Sequence, residues 1–287
     1  ILGLALALET LGVRVHRVTA DDGPAPGTYA FLPGFERFVS AAGADACETF
    51  VALDTPQLSR LGAAAPLAEA CDRLLVLDHH PDAEPFWDLA LLDAEAAAVG
   101  QMIWRLLPPM GVDPDSDLAT CLYVSLVTDT GRFQYSNTTA SVLADAAGMV
   151  EQGVDVAEVY RRLFESRSPQ SLVLTGRVLS RLAVVNDGHV AWTWLESADL
   201  ADTGARPEDT ENLADAVRTV AGVDVVFVVK SGDDGSKVSL RAKGSFDVGA
   251  VARELGGGGH RAAAGFAASE SRDAVVERLL PHLPGGQ

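Results

Sequence analysis

Positive charge is scarce in this chain of 287 residues, where 22 lysines and arginines face 40 aspartates and glutamates for a formal net charge of -18. Duplex binding rests on many cationic contacts to phosphates, so this balance argues against long nucleic-acid polymers as ligands. A short oligonucleotide or a single nucleotide stays compatible, because a bound dication and a local basic cluster can invert the field inside one cleft. Lys237, Arg241, Lys243, Arg253 and Arg261 are the candidates for that cluster. Cysteine is sparse as well. Cys47, Cys71 and Cys121 are odd in number and lack CxxC spacing, so neither a disulfide framework nor a zinc ribbon is expected. They read as buried apolar fillers, and a reducing cytoplasm fits best. No apolar run is long enough to span a bilayer, and the opening ILGLALALETLG is broken by Glu9 with no basic segment ahead of it. Because that opening is already helical at Ile1, an upstream segment is expected to be missing. Internal repeats and low-complexity tracts are absent, and 48% apolar against 22% charged residues is the composition of a globular protein.

What is present is an alternation of strand and helix signals. VRVHRV near Val13, TFVAL at Thr49 to Leu53 and LLVL at Leu74 to Leu77 read as strands; Ala97 to Leu107, Asp117 to Val127 and Thr138 to Gln152, behind an Asn137 cap, read as helices. Strands alternating with helices predict a parallel α/β sheet, in which ligands gather at the carboxyl ends of the strands. From Asp155 to Leu182 the pattern is helical, with Asp155 and Ser168 as N-caps and Pro169 at a first helical position. Beyond it lie a hairpin around Asn186-Asp187-Gly188, a second hairpin from Val223 to Ala242, and a helix from Val248 that runs into four glycines and His260. The organisation expected is residues 1–165 as a parallel-sheet domain, 166–182 as a helical linker, and 183–287 as a smaller mixed α/β domain.

Asp78-His79-His80, directly after a buried strand, reads as half of a metal site. Asp54 alone would be an N-cap, and Asp129 alone a helix terminus. Three carboxylates at element ends, however, are costly to gather unless a dication neutralises them, and a carboxylate at the C-terminal end of a helix opposes the macrodipole. Adjacent histidines can divide the labour, one ligating metal while the other meets a phosphoryl oxygen or passes a proton. Metal-assisted phosphoester hydrolysis is the chemistry this pattern suggests. Glycines 257, 258 and 259 let backbone N–H groups approach an anion, with His260 and Arg261 adding charge and Arg241 as a fork-shaped phosphate clamp. Arg132 and the Asn137-Thr138 pair are weaker substrate-contact candidates. The four tryptophans lack the spacing of a base-stacking ladder and read as packing residues.

VALDT, VLDHH, VTDTGRF and KVSLRA followed by GGGGHRAAAGF resemble, in order, the motifs of the DHH phosphoesterase superfamily, and most closely its nano-RNase and pAp-phosphatase branch. The resemblance spans nearly the whole chain. It implies a bilobal, cytoplasmic, commonly dimeric hydrolase with two Mn2+ ions, acting on oligoribonucleotides of a few residues, on pAp, or on cyclic di-AMP products. Asp54 would bridge the metals, His79 and Asp129 would complete one shell with Asp78 in or beside it, and His80 would face the scissile phosphate. Gly257, Gly258, Gly259, His260, Arg261 and Arg241 would hold substrate from the smaller lobe. The family's first motif, a histidine followed by two spaced aspartates, is absent from this chain, so the chain alone is expected to be inactive or singly metallated. Ala83 and Ala242 stand where relatives often carry asparagine and serine. Readings as a non-catalytic nucleotide-binding protein, or as an inorganic pyro- or polyphosphatase, remain open at this level.

Overall fold

A computed structural model of the chain describes residues 1–20, 25–81, 83–232 and 235–286. It divides into two units, Ile1–Ser166 and Arg167–Gln287. Among the described residues no helix is long and apolar enough to cross a membrane.

The first unit opens with helix α1 (Leu2–Thr10), followed by short strands β1 (Arg17–Val18) and β2 (Phe38–Val39), which pair with each other in parallel. The strand expected over VRVHRV is therefore reduced to its last two residues. Strands β3 (Thr49–Leu53), β4 (Arg73–Asp78) and β5 (Leu89–Leu92) form a parallel sheet in that order, with helix α2 (Ala65–Ala70) between β3 and β4 in sequence. β4 is central and apolar on both faces because both are covered. Phe50, Ala52, Leu74 and Val76 pack on one side against Leu61, Ala64 and Ala68. Val51, Leu53 and Leu77 pack on the other against a helical layer of α3 (Val99–Met110), α4 (Ser116–Asp129), α5 (Ala140–Glu151) and α6 (Val156–Phe164), joined by α1. Asp115, Thr139 and Asp155 cap α4, α5 and α6 by accepting backbone N–H bonds from Leu118, Val142 and Glu158. The cap of α5 is thus Thr139, not Asn137.

In the second unit, α7 (Pro169–Leu179) begins behind the Ser168 cap and is followed by β6 (Ala183–Val185), β7 (Val190–Glu196), α8 (Ser197–Thr203), α9 (Leu213–Val217), β8 (Val225–Gly232) and β9 (Gly235–Ala242). The chain then completes α10 (Val248–Glu254), β10 (Gly258–His260), β11 (Ala263–Ala268) and α11 (Arg272–Leu279). These strands lie in the order β10-β11-β9-β8-β7-β6, and among the described residues β7 with β8 is the single parallel pair of this sheet. α7 and α9 bring Leu174, Val178, Leu213 and Val217 onto one face, while Val248, Val251, Val275 and Leu279 cover the other. This explains the unbroken apolar run of β8, whose Val226 and Val228 face the first layer and Phe227 and Val229 the second. α7, expected as a linker, is packed into this unit through the fully buried Leu174 and Val178.

One further expectation is corrected. Cys47 and Cys71, read as unpaired fillers, flank the starts of neighbouring strands β3 and β4 with their Cα atoms 5.7 Å apart, and they form a disulfide. Their separation of 24 residues hides a proximity that only the parallel register creates, so cysteine spacing carries no compartment argument here. Cys121 is free and buried, as expected. The end of the glycine run enters the sheet, Gly258, Gly259 and His260 forming edge strand β10 against β11.

Candidate metal centre at the strand ends

β3 and β4 run in parallel register, Leu53 beside Leu77, so Asp54 and the Asp78-His79-His80 segment emerge together at the carboxyl edge of the sheet. The ladder continues one bond past β3, from the Asp54 N–H to the Leu77 carbonyl at 3.0 Å. Asp54 itself adopts a left-handed backbone with φ of 57°, a conformation that costs a non-glycine residue of order 1 kcal/mol or more and collects at functional sites.

Asp78 is fully buried. Its Oδ1 accepts both the backbone N–H of His80, at 2.6 Å, and the ring Nδ1–H of His80, at 2.7 Å. Its Oδ2 is buried with no hydrogen-bond partner among the described residues. The His79 ring turns away from that of His80, edge to face with centroids 5.4 Å apart. His79 Nδ1 donates to the Ala96 carbonyl at 2.9 Å, and since a carbonyl can only accept, neutral His79 keeps its lone pair on Nε2. That nitrogen lies 3.3 Å from Asp54 Oδ1, and His80 Nδ1 lies 3.6 Å from the same oxygen. Asp54, Asp78 and His80 each bring a ligand-type atom within 4.8 Å of the others.

The electrostatics follow from this crowding. Burial works to lower the affinity of His79 for a proton, but its contact with Asp54, the Ala96 carbonyl and the charges of Asp54 and Asp129 outweigh it and raise the imidazole to about 9. Asp129, the last residue of α4, is pushed up to about 7 by burial and by the Asp54 charge, against the opposing pull of His79 and His80. In the metal-free protein, protons hold together a group of donors with more negative charge than it can tolerate, which is the condition a cation relieves.

Arg132 follows Gly131 in a run of three left-handed residues, with φ of 55°, 66° and 62° through Phe133. The turn is braced by the buried Thr130 hydroxyl, which donates to the Leu126 carbonyl and accepts from the Phe133 N–H. The Arg132 guanidinium stacks 4.8 Å above the Phe164 ring.

In the second unit, Arg241, Ala263 and His260 form one row across β9, β11 and β10. Arg241 is oriented by Asp215, which accepts from its Nε at 3.0 Å. Gly257 and Gly259 have no room for a side chain, since an added Cβ would fall 2.1 Å from the Gly265 carbonyl oxygen and 2.6 Å from Ala264 respectively. Gly258 pairs with Gly265 at the sheet edge. Of the basic residues singled out from sequence, Arg261 donates to the Ser245 carbonyl, Lys243 donates to the Val220 carbonyl, and Lys237 stands opposite Lys230 in the sheet. Sequence reasoning missed the Ala96 carbonyl and the buried Gln101 behind it, because neither carries a pattern of its own.

Residues 187–281 match the family model of the DHHA1 domain. The chain is 34% identical over 285 residues, covering 97% of itself and 82% of the relative, to the bifunctional oligoribonuclease and PAP phosphatase NrnA of Thermus thermophilus. It is 28% identical over 197 residues, 67% of itself and 62% of the relative, to the enzyme of the same name from Bacillus subtilis. Among solved structures, an exopolyphosphatase-related protein of Bacteroides fragilis superposes with a TM-score of 0.88 at 23% identity, covering 96% of this chain and 84% of that one. RecJ of Thermus thermophilus in complex with Mn2+ gives 0.50 at 16% identity, over 96% of this chain and 52% of that one.

Proposed function

The chain belongs to the DHH phosphoesterases, in the branch of the bifunctional oligoribonuclease and PAP phosphatases, and from that premise we propose that it is a metal-dependent hydrolase of short oligoribonucleotides and of pAp. The observation that carries this reading is the gathering of Asp54, Asp78, His79 and His80 at one edge of the parallel sheet. The residues fit a divalent metal on their own chemistry. Asp78 Oδ2 is a buried carboxylate oxygen with no partner among the described residues, His79 Nε2 faces Asp54 Oδ1 at 3.3 Å and offers a lone pair once a cation displaces its proton, and an oxygen-rich set with imidazole suits Mn2+. Asp54, Asp78, His79 and Asp129 would hold the metal, and two Mn2+ ions are proposed. When bound, the metal supplies Lewis-acid polarisation of the phosphoryl group and a lowered pKa for the attacking water.

The protein's own groups do the rest. The Ala96 carbonyl fixes His79 in the tautomer that presents Nε2 inward. The doubly occupied Asp78 Oδ1 locks the His80 ring, leaving Nε2 as the nitrogen that would give a proton to the leaving oxygen as water adds to phosphorus and the P–O ester bond breaks, and would regain one from solvent. Within the second unit, the Arg241 and His260 row with Gly257, Gly258, Gly259 and Arg261 would bind substrate phosphate, and within the first Arg132 would contact substrate. The expected activity is release of mononucleotides from di- to pentanucleotides, and of AMP from pAp, by the full-length protein with Mn2+. Linear products of cyclic di-AMP are further substrates to assay, and pyrophosphate and polyphosphate should be inert. Absence of product from pAp and from every oligonucleotide would overturn the proposal.

A further inference from the structure

We propose that Asn137 is a positioning residue that clamps two ligand-bearing segments into one metal site. The inference rests on the assignment of His79 and Asp129 as ligands. The Asn137 side-chain amide donates to the Asp129 carbonyl at 3.1 Å and to the Ala97 carbonyl at 3.3 Å. The first bond grips the backbone of a proposed ligand at the end of α4. The second grips the loop whose preceding carbonyl, Ala96, holds the His79 ring at 2.9 Å. That loop is anchored from its other side, since Ala97 N–H donates to Gln101 Oε1 at 2.8 Å, and Gln101 Nε2 donates to Asp145 Oδ2 at 2.6 Å. Arg105 holds the same Asp145 oxygen at 2.9 Å. Ala96, Ala97, Ala98 and Gln101 are all buried.

Two donors on one planar group are what this position requires. An aspartate of the same shape offers acceptors only, and would set a carboxylate against two carbonyls. Asn137 has no part in capping α5, which Thr139 already does. Its remaining polar atom, the buried Oδ1, has no partner among the described residues, so the amide is satisfied on its donor side alone. The residue therefore couples β4, through the His79 ring, to α4, through Asp129, and its own carbonyl accepts the Thr139 N–H at 3.1 Å.

The test uses the full-length protein with Asn137→Asp and, in case that variant does not fold, Asn137→Ala. Val228→Ala, buried within the second unit, serves as a control for loss of stability. Hydrogen–deuterium exchange of the metal-free proteins should show faster exchange over residues 93–101 and 127–131 in the Asn137 variants and not in the control. Calorimetric titration with Mn2+ should show affinity weakened about 10- to 100-fold, the range for disturbed support of metal ligands, with kcat lowered more than KM is raised. Unchanged exchange at both segments would overturn the inference even if the protein takes up no metal at all. Mn2+ affinity within about twofold of the unaltered protein would overturn it as well, since disturbed support of the ligands costs more than that. A failure of the functional proposal shows separately, as an unaltered protein that hydrolyses nothing.

Discussion

At the scale of single residues the site is governed by which oxygen and which nitrogen are already spoken for. Asp78 spends Oδ1 on His80 and keeps Oδ2 bare of any described partner. Asp78→Asn should therefore weaken Mn2+ binding by about tenfold or more in calorimetry, because its NH2 either replaces Oδ2 or is set against the two His80 N–H groups that Oδ1 accepts. His80→Ala should lower kcat on pAp by roughly 10²–10⁴ while the circular dichroism spectrum stays unchanged. The pH dependence has a definite sign. His79 rises from 6.5 to about 9 in the folded protein, so its contribution to stability is complete below about 6.5 and disappears as pH climbs through 9. Asp129 rises from 3.8 to about 7, so its contribution is complete below about 3.8 and is lost through 7. Both make the metal-free protein less stable as pH increases, and Asp129→Asn should flatten the decline of Tm between about pH 4 and 7 in a calorimetric series. Metal affinity should move the opposite way and strengthen with pH, since binding displaces these protons.

At the scale of elements, α7 belongs with the six-stranded sheet. Leu174→Ala should destabilise the second unit by about 2–5 kcal/mol, seen as a lowered midpoint in urea, while Mn2+ binding by the first unit is retained below that midpoint. The same scale shows what was legible in the sequence. β3, β4, α4, β7 and β8 announce themselves by long apolar runs or periodicity, and Asp78-His79-His80 stands at the end of β4, the strand-end position read from the sequence. β5 was not, because its leucines are partly exposed at a sheet edge and do not alternate. β10 was not, because glycine says nothing about a strand until β11 lies beside it. The Cys47–Cys71 pair and the Ala96, Gln101 and Asn137 supports escaped for a shared reason: a polar or sulfur group acquires its meaning from a partner far along the chain.

At the scale of the whole molecule, charge is unevenly shared. Residues 1–166 hold 24 acidic and 9 basic side chains, net -15, whereas residues 167–287 hold 16 and 13, net -3. The strand-end donors thus sit in the more repulsive unit. For an anionic substrate, screening should help more than it hurts, the reverse of a cationic nucleic-acid binder. KM for a pentanucleotide should fall as salt rises from about 20 to about 150 mM, by a larger factor than for a dinucleotide, measured by initial rates at fixed Mn2+. At Asp54, finally, the backbone prefers a glycine and the chain keeps an aspartate. A library selected only for heat resistance should enrich Asp54→Gly, and those survivors should be robust and inert; the codon that a folding screen discards is the one an activity screen preserves.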